Sequence, residues 1–473
     1  MTEITDGDGG PPREIDLLVR AGFLYPVTEG MPVIHEGEVA IAGDRIVHAG
    51  PRLPEGSWRA ARTIGGDGFA VLPGFVNAHS HTASIVFRSQ TDDHPPGVAL
   101  FDVAFRMEKD IPDSDWALLA EVGCADMLAA GITTLNDIWY APWHLAASVE
   151  RAGLRAQIAH KVFDVRLEAL RDGDWTHHPA IAAARLRDGV EFAERWHGKA
   201  DGRITARIGT HATDTCSADL IRAARQEATR LGIGMHIHTA QSPGEIAYIR
   251  EAHGCGPLEY LRDIGMLAPD VVVAHLSQAT DADLDAVVET GARYAHCPTI
   301  YPRRGRYPRL KEIMARGIVT GFGTDWMLND PWEGMRYAMN AVRVVNGDAH
   351  ALSCAQALWL HTMGAARVLG LDDQIGSLEA GKKADLLVVD LRKPHLQPYY
   401  GGHEALVYYA RASDVTTSVI DGRVVLEDGR PVHLDRDAAL EALATRVSHW
   451  RRGLGRLGSR AVFGPGPGCV CCG

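Results

Sequence analysis

Several things are scarce in this 473-residue chain, and each scarcity excludes something. Five of its eight cysteines stand alone (Cys124, Cys216, Cys255, Cys297 and Cys354), with no CxxC pair among them. A disulfide framework or a thioredoxin-type redox motif is therefore not expected. Basic residues are outnumbered, 48 Lys+Arg against 60 Asp+Glu, for a net charge of −12. A chain with no basic stripe is not a general nucleic-acid binder, nor does it carry a polybasic membrane anchor. No stretch of 18 uninterrupted apolar residues exists, so no spanning helix is expected. The start, MTEITDGDGGPPREID, has no basic region followed by an apolar run and does not read as a signal peptide. The expected location is cytoplasmic. Internal repeats at solenoid periods are absent, as is a Gly-rich dinucleotide loop.

What is present is the composition of an ordinary globule, 46% hydrophobic and 23% charged. Two strand-rich segments bracket a long middle. EVAIA-GD-RIVHAG turns at Gly43-Asp44, and TTSVI-DG-RVVLEDG turns at Asp421-Gly422, both in the manner of two-residue hairpins. ADLLVVD at 384–390 reads as one more buried strand. Two half-sheets at opposite ends of a chain pair most economically into one small β domain. Between them, eight short apolar runs alternate with helical stretches: VLPGFVNAHSH, GITTLNDIW, LRAQIAHK, RITARIGTH, GIGMHIHTA, VVVAHLS, ARYAHCP and IVTGFGTD. The helix after the fourth run has Ser217 as N-cap, Leu220, Ile221 and Ala224 on its apolar face, and Gly232 past its end. The expected fold is α/β: a (β/α)8 TIM-like barrel with a small composite β-sandwich domain built from both termini. An open doubly wound sheet is the rival. The expected division is a flexible tail over 1–14, the composite β domain from 15–69 plus 375–434, and the barrel over 70–374. A C-terminal helix and a Gly/Cys-rich tail fill 435–473. The helix, over 435–452, is expected to carry Leu440, Leu443, Val447 and Trp450 on one stripe. Cys469, Cys471 and Cys472 crowd the last five residues and read as a loose, reduced tail.

The chemistry begins at His79-Ser80-His81. Side chains at i and i+2 of a strand share a face, so both imidazoles would face the mouth at the C-terminal end of the first barrel strand. Alone the pair is weak, because the chain holds 22 His. It gains weight from His238, His275 and Asp325, which end the fifth, sixth and eighth runs, where barrel enzymes place their chemistry. Three neutral imidazoles plus a carboxylate suit one divalent metal ion, Zn2+ first, with Fe2+ also acceptable. We therefore expect His79, His81, His238 and Asp325 to be the metal ligands. Asp325 would also accept a proton from the attacking water, and His275 would hydrogen-bond the hydroxide or the substrate.

The stretches PGFVNAHSHT, GITTLND, HIHTAQ, VVVAHLS, HCPT, GTDW and IGSLEAGKKADLLVVD together resemble the amidohydrolase superfamily, in its cytosine deaminase, guanine deaminase and triazine hydrolase branch. The similarity runs from about residue 15 to about residue 430. The resemblance implies a metal-activated water attacking a carbon bound to nitrogen, or sometimes to halogen, and a single metal ion. His211 ends the fourth run, and no Lys stands there to be carbamylated into a bridge. The homodimer is implied by the same analogy, and the partner is a small heterocyclic substrate.

One departure matters. Members of this branch usually read H-x-x-E after strand five, whereas this chain has His238-Thr239-Ala240-Gln241. The family Glu shuttles a proton from the water to a ring nitrogen and the leaving amine. Gln cannot, having no titratable proton, and such general acid–base help is worth about 10²–10⁴ in rate. Either the reaction needs less leaving-group protonation, or Asp325 with His275, or His211, supplies it. Glu245, seven residues past His238, is expected to form a structural salt bridge. Gln241 is kept as a candidate catalytic and substrate-binding residue, donating to a carbonyl, ring nitrogen or sulfur. His211 matches a family His that leans over the substrate, and His236 reads as packing behind His238. Arg303, Arg304 and Arg306 in TIYPRRGRYPRL cluster where an anionic end of the substrate could lie. Trp326 and Trp332 are candidates for an aromatic wall. The expected function is hydrolytic deamination of a small N-heterocycle. Cyclic-amide hydrolysis, removal of chloride or sulfide, and a non-catalytic metal-binding homologue are the alternatives.

Overall fold

The computed structural model describes residues 11–92 and 98–454. Four strands open the chain: β1 (Arg13–Leu24), β2 (Ile34–Ala42), β3 (Arg45–Pro51) and β4 (Trp58–Pro73). Eight parallel strands follow: β5 (Phe75–Ser80), β6 (Ile132–Trp139), β7 (Arg155–Val162), β8 (Ile204–Ala212), β9 (Met235–Thr239), β10 (Val271–His275), β11 (Arg293–His296) and β12 (Thr320–Phe322). The chain closes with β13 (Leu386–Asp390), β14 (Val415–Ile420), β15 (Arg423–Glu427) and β16 (Arg430–Pro431).

The terminal strands form one eight-stranded sheet in the order β16-β15-β14-β13-β4-β1-β2-β3. The antiparallel pairing of β13 with β4, from Leu386 opposite Pro73 to Asp390 opposite Phe69, joins the two ends of the chain. Both expected hairpins are present. In the second, Asp421 and Gly422 take φ of +47° and +72°, as a type I′ turn requires. The sheet curls until these two turns meet. A Cβ on Gly422 would lie 2.1 Å from the Gly43 carbonyl oxygen, so only glycine fits there. Val19, Val39, Ile41, Val388 and Val419 share the enclosed core.

The eight middle strands run in chain order, β5 to β12, as a (β/α)8 barrel. Strands β6 and β7 are buried at every position, as expected when helices cover one face and the barrel interior the other. The helix Ala218–Leu231 forms as read: the Ser217 hydroxyl accepts from Leu220 N at 3.3 Å, and Gly232 ends it at φ +68°. The last strand returns to the first through a short seam. Asp325 N donates to His79 O at 3.0 Å, and His81 N donates to Asp325 O at 3.3 Å. Asn77 braces the seam, accepting from Thr324 N at 2.9 Å and donating to the Thr324 hydroxyl at 2.7 Å. A Cβ on Gly323 would lie 2.7 Å from His79 backbone atoms, so the close approach needs glycine.

Two expectations need adjustment. Of the expected tail, residues 1–10 lie outside the described residues, and Arg13 and Glu14 already pair with Trp58 and Arg59 in the sheet. The C-terminal helix runs Arg436–Leu454, but Leu440 and Val447 are exposed. Its inward stripe is Ala439, Leu443 and Trp450, whose indole donates to Asp115 at 3.0 Å. Packing on the helix Asp113–Ala130 thus rotates the buried face by about one residue from the most apolar stripe. The cysteines of the last five residues lie outside the described residues. Among the described residues, no helix is long and apolar enough to cross a membrane.

The barrel and the sheet are tied by a buried ion cluster. The Arg155 guanidinium, at the base of β7, donates to Asp385 at 3.0 and 3.2 Å and to Asp421 at 2.5 Å. These two carboxylates hold the guanidinium pKa above its usual value despite burial. Removing one partner of such a cluster strands buried charge, so Arg155→Met should lower stability by about 3–5 kcal/mol. Urea or thermal unfolding measures this, and a loss under about 1 kcal/mol would contradict it.

Candidate metal centre and active site

The seam sets the site. It lays β12 alongside β5, so that Asp325 comes to the end of β5 beside His79 and His81. The Asp325 Oδ1 lies 3.5 Å from both His79 Nε2 and His81 Nε2. His238, from β9, places its Nε2 3.2 Å from that of His81. His275, from β10, stands 4.0 Å from the Asp325 Oδ2 through its Nδ1. Four side chains from the ends of three strands therefore come together, with His275 beside them. The backbone is strained where it delivers them: Asp325 and His275 sit at φ +59° and +90°, unusual for residues other than glycine.

The arrangement calls for a cation. His81 Nδ1 donates to Ile138 O at 2.8 Å, and His238 Nδ1 donates to His211 O at 2.5 Å. With their protons on Nδ1, both rings present a lone pair at Nε2. Two lone pairs 3.2 Å apart repel unless something positive lies between them. His79 Nε2 is buried with no hydrogen-bond partner, while its Nδ1 faces His236 Nε2 at 2.8 Å. Burial, reinforced by neighbouring imidazoles, holds His81, His238 and His275 well below the ordinary imidazole range. They are neutral at pH 7 and able to ligate. A tetrahedral centre with bonds of about 2.0–2.1 Å needs donors about 3.3–3.4 Å apart. The observed 3.2, 3.5 and 3.5 Å separations fit that requirement. His236 plays the part of orienting His79 from behind, a common device for metal-binding imidazoles.

Around this cluster lies a pocket of about 50 Å³ lined by His81, Lys161, His211, Gln241, His275 and Arg304, among others. It opens into a chamber of about 280 Å³ that shares His211, Gln241, Tyr301 and Arg304 and adds Trp175 and Arg306. The His211 Nδ1 is hydrogen-bonded to the Thr215 hydroxyl at 2.7 Å. Trp326 lines the pocket and stacks on Phe87 at 5.4 Å. Gln241 also lines it.

Other candidates are placed elsewhere. Arg303 turns outward, pairs with Asp92 at 3.0 Å, and borders a separate rim cavity. Trp332 is fully buried against Phe75, its indole bonded to Ala130 O at 3.2 Å, so it packs the core and makes no wall for the pocket. His296 is held between the Tyr294 and Tyr307 hydroxyls at 2.8 and 2.9 Å. Glu245 makes no salt bridge among the described residues. It is buried and accepts from Ala240 N at 3.0 Å and Gln241 N at 2.8 Å, fixing the turn that presents Gln241. Burial and the nearby Asp214 carboxyl push its pKa upward. Sequence reasoning missed Lys161 and Tyr301. The available signal for Lys161 was a polar residue near the end of a barrel strand.

The family model described as "Amidohydrolase family" matches residues 70–425. The 5-methylthioadenosine/S-adenosylhomocysteine deaminase of Pelotomaculum thermopropionicum is 35% identical over 440 residues, 91% of this chain and 98% of that relative. Its counterpart from Moorella thermoacetica is 32% identical over 439 residues, 91% and 99% of the two chains. Among solved structures, an adenosine deaminase from Xanthomonas campestris with bound zinc superposes with a TM-score of 0.85 at 27% identity, covering 94% of this chain and all of that one.

The cluster predicts how much metal the protein holds. Elemental analysis after dialysis against Zn2+ should give about one equivalent for the wild type and a small fraction of that for His81→Ala and His238→Ala. Zn2+ should raise the melting temperature of the wild type, by about 2.7 kcal/mol of stability at a hundredfold excess over Kd, and leave both variants unmoved. Full occupancy in both variants would refute the ligand set.

Proposed function

We propose that this chain, which belongs to the amidohydrolase family, is a metal-dependent aminohydrolase acting on adenosine-type nucleosides. The observation that carries the reading is the cluster of His79, His81 and His238, with Asp325 3.5 Å from the first two and the His81 and His238 tautomers fixed by backbone carbonyls. The substrate class follows the printed activities of relatives that match nearly end to end, 5-methylthioadenosine/S-adenosylhomocysteine and 5'-deoxyadenosine deamination. Zinc is the preferred ion, supported by the N3O donor set and the neighbour with bound zinc. One ion and a homodimer are carried from the sequence resemblance, and a cytoplasmic setting from the sequence's lack of a signal-peptide pattern or spanning run. In the same reading the barrel over 70–374 is the catalytic unit, and the composite sheet buttresses it.

Bound in this cluster, the divalent ion supplies a water made acidic at neutral pH. Asp325 has two oxygens with separate tasks. Its Oδ1 faces His79 and His81, and its Oδ2 faces His275, free to take a proton from the attacking water and return it to the departing nitrogen. His275 steadies the oxyanion formed at the attacked carbon. The Nε2 of His211 hydrogen-bonds the substrate, while its Nδ1 is held by the Thr215 hydroxyl. Gln241 donates from its amide and moves no proton. Arg304 has no ion-pair partner among the described residues and borders both the pocket and the chamber, which suits a substrate with an anionic end.

Gln241 favours a second reading as well: hydrolytic loss of chloride or sulfide, a leaving group that departs without a proton. The assay separates these. We expect the Zn2+-loaded wild type to release ammonia from 5'-methylthioadenosine or 5'-deoxyadenosine, with the activity lost to a chelator and restored by Zn2+. Chloride release from 6-chloropurine riboside without ammonia release from either nucleoside would favour the second reading. Activity seen only in Gln241→Glu would mark a non-catalytic homologue.

A further inference from the structure

Lys161 is a buried cation that the mechanism above does not use. It is the next-to-last residue of β7, 3% exposed, and lines the pocket that holds the metal-ligand cluster. Its ammonium donates to the Tyr140 hydroxyl at 2.7 Å. It sits over the rings of Tyr140, Trp139 and Phe105 at 4.2, 5.1 and 5.3 Å. An ammonium has three donors. The other two have no partner among the described residues, and no carboxylate there is close enough for an ion pair. Buried donors are almost always satisfied, and the residue lines the pocket.

The barrel order places Lys161 relative to the substrate. β7 is the third of eight strands and β11 the seventh, so Lys161 stands across the mouth from the loop that carries Tyr301 and Arg304. A flat ring held between those walls, with its reacting carbon toward His81, His238 and Asp325, offers an edge to the ammonium. Groups facing Lys161 come from several elements: Glu108 from the helix Phe105–Asp110, Tyr140 after β6, Arg185 from the helix Pro179–Trp196, Cys216 after β8, and His81, His211 and His238 across the pocket. The Tyr140 hydroxyl also bonds the Glu108 carboxyl, which burial pushes up to about 7. Desolvation brings the ammonium itself down to about 8.

We propose that Lys161 is a catalytic residue that touches the reacting heterocycle, donating to the ring nitrogen beside the attacked carbon. As water adds to that carbon, the electron pair of the C=N bond moves onto this nitrogen. The ammonium stabilises the charge and keeps its proton. It thereby supplies the activation that no titratable group at position 241 can give. The assignment rests on the aminohydrolase reading of the site.

The test compares wild type, Lys161→Met and Lys161→Arg on 5'-methylthioadenosine and on its 1-deaza counterpart, which lacks that nitrogen, used as a competitive inhibitor. In the wild type the inhibition constant should exceed the KM of the parent by about 10- to 100-fold, the worth of a hydrogen bond to a charged group. Lys161→Met should erase this difference and lower kcat by about 100-fold. Its melting curve checks that the fold is intact. Lys161→Arg should recover part of kcat. The wild-type kcat/KM should fall as pH rises through about 8, where the ammonium loses its proton, and this limb should move upward in Lys161→Arg. A Lys161→Met enzyme that keeps kcat within threefold, or still discriminates against the deaza compound, overturns the assignment. Deaza discrimination without turnover in the wild type overturns only the deaminase reading. A wild type that neither binds nor converts either nucleoside overturns both.

Discussion

The active centre depends on the seam where the eighth barrel strand comes back to the first. His79 and Asp325 are separated by most of the barrel in sequence, yet a pair of backbone hydrogen bonds sets them side by side. The seam is short and sterically tight. Gly323 permits the approach, Asn77 locks Thr324 across it, and Asp325 takes a left-handed conformation to turn its carboxylate inward. The contacts that close the barrel are thus the same ones that bring Asp325 beside His79 and His81. A change that loosens the seam displaces the carboxylate before it exposes any core.

Electrostatics completes what closure begins. Several imidazoles packed with ring centroids about 5 Å apart could not all be charged. Burial keeps them neutral, and hydrogen bonds to Ile138 O and His211 O decide which nitrogen carries the proton. The protein thus spends no group on neutralising the cluster. It leaves lone pairs facing one another, a state that is unfavourable when empty and favourable around a cation. That asymmetry makes the centre a reservoir of binding free energy for metal.

Much of this was legible in the sequence because it obeys local rules. Strand periodicity put His79 and His81 on one face. The ends of apolar runs located His238, His275 and Asp325. Asp421-Gly422 and Gly43-Asp44 announced the hairpins. What was not legible is set by tertiary packing. The C-terminal helix buries Ala439 in preference to Leu440, because its orientation is fixed by the helix Asp113–Ala130 against which it lies. Arg303 and Arg304 are adjacent in sequence and indistinguishable in chemistry, yet Asp92, some two hundred residues away, draws one of them to the rim. Trp332 lies close to Trp326 in the chain, but the Asp330 cap starts a helix there and turns its indole into the core. Glu245 was expected to seek a cation and instead satisfies two backbone N–H groups.

Glu245 and Lys161 both bear on the departure at position 241. The turn Ala240-Gln241 is held by a buried carboxyl that accepts from both of its N–H groups, so the backbone there is as firmly placed as a catalytic residue demands. Such rigidity is wasted on a side chain without a task, and Gln241 does face the pocket. A neutral amide can orient a substrate but cannot relay protons. A buried ammonium on a neighbouring wall can activate the ring without relaying any. With these two changes the site divides its labour differently from an acid-based shuttle. In the proposed mechanism, proton movement falls to Asp325 and charge stabilisation to Lys161. A substrate that suits this division has a ring nitrogen able to accept strong donation and a leaving group undemanding of acid. In the proposed mechanism Gln241 and Lys161 would shape both the rate of the reaction and the range of compounds it admits.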